Sequence, residues 1–94
     1  MKRPLVEHQR RPLPVMGNRV YIGRPGPYGN PYVIGQDGTR EEVIEKYRAS
    51  VTPKLVRQLA EQQPDVLVCW CAPQACHGDV LADLLAELDG EGQP

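Results

Sequence analysis

All three cysteines and one of the two histidines of this 94-residue chain fall within ten consecutive positions, Cys69-Trp70-Cys71-Ala72-Pro73-Gln74-Ala75-Cys76-His77-Gly78. Three chemistries are open to such a cluster. Cys69, Cys71, Cys76 and His77 carry the donor types of a Cys3His zinc site, although zinc usually takes its ligands from two separated pairs. Alternatively, Cys71 or Cys76 is a reactive thiolate, its pKa lowered by a helix N-terminus and by His77. In the third reading the thiols are small packing groups, and His77 and Gly78 shape a turn and donate hydrogen bonds to an anion. Within a catalytic reading, Cys71, Cys76, His77 and Asp79 surround the reacting atom. His77 is then the general acid or base, because an unperturbed imidazole titrates near neutrality. Asp79 has a plainer use as a first-turn carboxylate complementing the helix dipole.

The elements on either side set where this cluster stands. Asp65-Val66-Leu67-Val68 is a short apolar run of the kind that forms a buried strand, and residues 79–88 have helical periodicity. The sulfurs and imidazole therefore sit at a strand-to-helix turn. In an open α/β sheet that is the edge where ligands bind. Residues 66–71 show no polar alternation, which predicts a strand covered on both faces and paired in parallel with Val20-Tyr21-Ile22. A third strand is expected from residues 14–17 or 32–34, with no basis for choosing between them.

Helix signals are clear after residue 38. Thr39-Arg40-Glu41-Glu42 is a capping box, with Val43, Ile44 and Tyr47 on one face, and predicts a helix over 40–49. Thr52 with Pro53 predicts a second N-cap, and Val51 and Val56 have the spacing of a hydrophobic staple. Leu55, Val56 and Leu59 should face the core. A third helix from Gly78 or Asp79 should bury Val80, Leu81, Leu84, Leu85 and Leu88 and end at Gly90 as a left-handed cap. On this pattern His77→Ala should disturb function more than folding, because a ring at the turn leaves no core cavity.

Between the first strand and the first helix lies Gly23-Arg24-Pro25-Gly26-Pro27-Tyr28-Gly29-Asn30-Pro31-Tyr32, too rich in Gly and Pro for a helix or a paired central strand. Parallel neighbouring strands would bring this loop and residues 71–78 to one sheet edge. There Gly23, Gly29 and the Pro25-stiffened backbone could approach a ligand, Arg24 could hold phosphate or carboxylate, Asn30 could orient a polar edge, and Tyr28 or Tyr32 could stack. The alternative is a stiffened turn whose tyrosines cap a small core. The loop matches neither a phosphate-binding loop nor a GxGxxG dinucleotide fingerprint.

Length allows one domain. Lys2, Arg3, Arg10, Arg11 and Arg19 make the start basic and Glu87, Asp89 and Glu91 make the end acidic, but the net charge of −1 excludes a global basic field for nonspecific nucleic-acid binding. The Pro-rich residues 1–14 read as a flexible basic arm, 15–89 as the single domain and 90–94 as a disordered tail. No stretch approaches the ~20 apolar residues of a membrane span, and the N-terminus lacks a signal-peptide core. An odd cysteine count suits reduced thiols or metal ligands in a cytoplasm better than a disulfide framework.

Taken in order, Tyr21-Ile22-Gly23-Arg24-Pro25, Gly29-Asn30-Pro31-Tyr32, Gly38-Thr39-Arg40-Glu41-Glu42-Val43-Ile44 with Tyr47, and Cys69-Trp70-Cys71-Ala72-Pro73 with Cys76-His77-Gly78-Asp79 resemble the uncharacterised phage and bacterial family numbered 4326 among domains of unknown function. The resemblance covers roughly residues 18–88. It implies a small α/β domain with these residues as its signature, and no particular reaction.

The sequence thus points to a small α/β domain, a short, mostly parallel sheet packed by about three helices. Its expected function is cytoplasmic binding of a nucleotide-like or nucleic-acid ligand, with modification or hydrolysis of that ligand as a further step. The alternatives are a non-catalytic module that binds a host protein and a zinc-stabilised structural domain.

Overall fold

The computed structural model describes residues 2–72 and 74–92. In chain order its elements are β1 (Leu5–His8), β2 (Arg19–Tyr21), α1 (Arg40–Ser50), α2 (Pro53–Glu61), β3 (Val66–Cys69) and α3 (His77–Gly92). The strands form one parallel sheet in the order β1-β3-β2. β3 is central because every one of its residues is buried, so neither of its faces can meet water.

Alternation along the strands separates two faces. Val6, Val20, Ile22, Leu67 and Cys69 pack with the helices in one core. From α1 this core takes Tyr47, from α2 Val56 and Leu59, and from α3 Val80, Leu81 and Leu85. Leu84 and Leu88 are only partly buried. The helices start where their caps dictate. Thr39 Oγ1 accepts from the Glu42 amide while Glu42 returns a carboxylate to the Thr39 amide, and Thr52 Oγ1 accepts from Leu55 ahead of Pro53 at N1.

Val66 and Val68 belong to the opposite face, which no helix covers. Glu7 on β1 and Arg19 on β2 lean over β3 from both sides and meet at 2.7 Å and 3.2 Å. Glu7 is 3% exposed and accepts a further bond from the Leu13 amide, while Arg19 also donates to the carbonyls of Leu13 and Val15. The pair thereby pins residues 13–15 over the sheet. Chiefly through the Arg19 hydrogen bond, against an opposing cost of burial, the Glu7 carboxyl is held below its ordinary pKa. Its contribution to stability is therefore complete above the unfolded carboxylate range and is lost as pH falls through the folded value. Urea titrations at several acidic pH values should show this loss in the native chain and a shallower one in Glu7→Gln. Identical pH profiles would show that the pair is not what senses acid.

Residues 1–14 are thus not simply an arm, since residues 5–8 within them supply the third strand. Both expected sources of that strand are turns. Val15 donates to Leu13, and Val33 is tied to Asp37 by bonds in both directions. Nor is Gly90 a cap, because α3 continues through it to Gly92. Glycine costs a helix only about 1 kcal/mol relative to alanine. Residues 90–92 of the expected tail are therefore helical, and residues 93 and 94 lie outside the described residues. No helix among the described residues is long and apolar enough to cross a membrane.

Candidate functional site

Because the strands are parallel, the chain leaves β2 and β3 at the same edge. The loops that follow them face each other across a cleft of about 250 Å³. Gly23, Arg24, Asn30 and Tyr32 line it from the first loop, and Trp70, Cys71, Ala75, Cys76 and His77 from the second. Arg40, Val43 and Ile44 of α1 close it, together with Val33 and Ile34. The predicted convergence of residues 23–32 with residues 71–78 is present.

Of the residues proposed to hold a ligand, Pro25, Tyr28 and Gly29 lie outside the cleft lining. Tyr28 is buried, its carbonyl accepting from Tyr47 Oη at 2.7 Å and its hydroxyl from Gln62 at 2.6 Å. It is a core residue because α1 and the C-cap residue of α2 both bond to it. Gly29 serves a close backbone approach, since a Cβ there would stand 2.9–3.0 Å from Arg24 atoms. The Gly26 and Gly29 amides are used within the loop, on the carbonyls of Gly23 and Gly26. Asn30 reaches the cleft, but its side chain donates to the Val43 carbonyl and accepts from the Tyr32 amide, so it fastens the loop to α1.

The second loop carries the sulfur chemistry. Cys69 is fully buried at the end of β3, with its Sγ 3.3 Å from Cys76 Sγ. Hydrogen bonds from Cys76, and secondarily from the backbone at Cys71 and Ala72, pull the Cys69 thiol down to about 6 against the cost of burial. Cys76 correspondingly holds its proton, first because it donates to Cys69 and then because it is buried. All three cysteines are free in the structure, and Cys71 is partly accessible. Among the described residues no three Cys, His, Asp or Glu side chains gather around one point. The Cys3His zinc reading does not fit this geometry.

His77 departs from its expected role. It is only 7% exposed, its Nε2 meets the Ile22 carbonyl at 2.6 Å, and its ring stands edge-on to Tyr47 with centroids 5.1 Å apart. A carbonyl only accepts, so Nε2 carries the proton and only Nδ1 is left to exchange one. Burial, partly offset by the Ile22 bond, lowers its pKa and keeps the ring neutral at pH 7. The ring thus has a packing role that a residue at an open turn would not have. Asp79, unlike His77, does not line the cleft. Its carboxylate accepts from the Cys76 amide at 3.1 Å and fastens the start of α3, the plainer of its two expected uses.

Of the lining residues that the sequence reading did not name for the site, two bring polar side-chain groups. Arg40, the first residue of α1, donates to the Ala75 carbonyl at 3.0 Å and bridges the cleft mouth. Trp70 is half-exposed, donates to Tyr21 Oη at 2.8 Å, and has the Arg10 guanidinium 5.5 Å from its ring centroid. Only the position of Trp70 inside the cysteine run hinted at it. Arg24 and Arg40 pair with no carboxylate among the described residues, and the cleft lining holds none. A larger depression of about 400 Å³ at the opposite sheet edge, beside Leu5, Met16 and Pro64, contains no thiol or imidazole.

No curated protein and no solved structure matches this chain. The model of the family described as Domain of unknown function (DUF4326) matches residues 6–87, and the chain belongs to that family.

Proposed function

We propose that the cleft binds a nucleotide-like ligand, either a free nucleotide or one exposed in a nucleic-acid strand. The observation that carries this reading is the pairing of Arg24 and Arg40, without a counter-carboxylate, with apolar and aromatic walls made by Val33, Ile44, Tyr32 and Trp70. Phosphate suits the two guanidinium groups, and a base suits the aromatic surface. The carboxyl edge of a parallel sheet is also where such ligands bind in open α/β folds. Binding is better supported than turnover. Asp79 is outside the cleft, His77 has one nitrogen committed and a lowered pKa, and Cys76 keeps its proton.

Trp70 is the chain's single tryptophan, so its emission reports the cleft directly. Titration with nucleoside monophosphates and short single-stranded oligonucleotides should change that emission, with affinity falling as salt rises. Arg24→Ala and Arg40→Ala should each weaken binding about tenfold or more, the loss of a charge-assisted hydrogen bond. Neither heat nor fluorescence change with any of these ligands, or unchanged affinity in the double variant, would overturn the reading.

A further inference from the structure

We propose that Cys69 and Cys76 are a redox-active dithiol that a small peroxide oxidises to an intramolecular disulfide. Their sulfurs face each other at 3.3 Å, whereas a disulfide holds them at about 2.05 Å, so the bond forms by a short approach of sulfurs already opposed. Neither thiol is diverted to a metal by a third ligand among the described residues. The Gly78 amide donates to Cys76 Sγ at 3.3 Å, and the two sulfurs share a hydrogen bond. These bonds favour a thiolate within the pair, which is the reactive form. Cys76 lines the cleft, which gives a molecule of peroxide's size a route to the pair.

The step balances with the peroxide as oxidant. The Cys69 thiolate attacks one peroxide oxygen, the O–O bond breaks, and the departing hydroxide takes a proton to become water. Cys69 is then a sulfenic acid. Cys76 Sγ attacks that sulfur, the S–S bond forms, the S–O bond breaks, and the leaving hydroxide carries off the Cys76 proton as a second water. The two thiols lose two electrons and two protons, and hydrogen peroxide accepts them. The product closes a ring around residues 70–75, the strap bearing Trp70, Cys71 and Ala75 of the cleft wall.

Cys71 is the internal control, being more accessible than either partner yet outside the close pair. The reduced full-length chain is treated with equimolar hydrogen peroxide, unfolded, alkylated and mapped by peptide mass. Free thiols should fall from three to one, with Cys71 alkylated and residues 69 and 76 crosslinked, and dithiothreitol should restore all three. Cys71→Ser retains the pair and should lose both of its thiols. One equivalent of phenylarsine oxide, a dithiol reagent, should block the oxidation in both proteins. Oxidation confined to Cys71, a dimer joined through Cys71, or Cys69 and Cys76 both still alkylatable would overturn the proposal. None of these readouts requires a nucleotide, so the result stands apart from the proposed ligand.

Discussion

Leu85→Ala is expected to lower the free energy of unfolding by about 2–5 kcal/mol, while Leu84→Ala, one position away, costs clearly less. Leu85 is fully buried in the core shared by the sheet and all three helices, so its truncation leaves a void that the neighbours fill only in part. Leu84 borders a surface groove with Val56 and Arg57 of α2, where water can enter and side chains can shift. A small domain typically has about 5–15 kcal/mol in hand, so the larger loss approaches what the fold can withstand. Urea midpoints with an unchanged denaturant slope would measure both. Equal losses would contradict the different burial of the two leucines.

His77→Ala is the second large effect, and its direction reverses the sequence expectation. Removing the ring orphans the Ile22 carbonyl, which alone costs about 1–3 kcal/mol, and leaves a gap against Tyr47 that adds to the loss. The lowered pKa gives this contribution a pH signature. Between the folded value and the unfolded value near 6.5, the unfolded chain binds more protons than the native one, so stability rises with pH across that window. The stabilisation is complete above the unfolded value and fades as pH falls toward the folded one. His77→Ala should flatten this part of the stability–pH curve. A melt unchanged at pH 7.5, or an unaltered curve, would return the imidazole to the role of a dispensable turn residue.

Local signals in the sequence were sufficient for the helix starts and the central strand. Thr39 with Glu42, Thr52 with Pro53 and the unbroken apolar run at Val66 act within a few residues, so each could be read directly. Meeting of the two loops followed from parallel pairing alone. β1 was illegible for the opposite reason. Its four residues include Glu7 and His8, and the charge of Glu7 is buried only because Arg19, on another strand, covers it. The same non-locality hid Tyr28 in the core, tied the cleft-lining His77 to the Ile22 carbonyl and brought Arg40 into the cleft. In each case the deciding partner lies more than ten positions away: Tyr47, Ile22 and Ala75.

Strand order has a consequence for how the chain comes to be folded. β1 and β2 never touch as strands, and each forms its ladder only with β3, whose first residue is Val66. During synthesis, α1 and α2 can coil as soon as they emerge, but no backbone pair of the sheet exists until synthesis has passed Val66. β1 must wait longest, through about sixty residues of chain, before Leu5 finds Val66. Such late, distant pairing slows folding. It also makes residues 5–8 an integral piece of the sheet, so removing them takes away a strand and uncovers one side of β3.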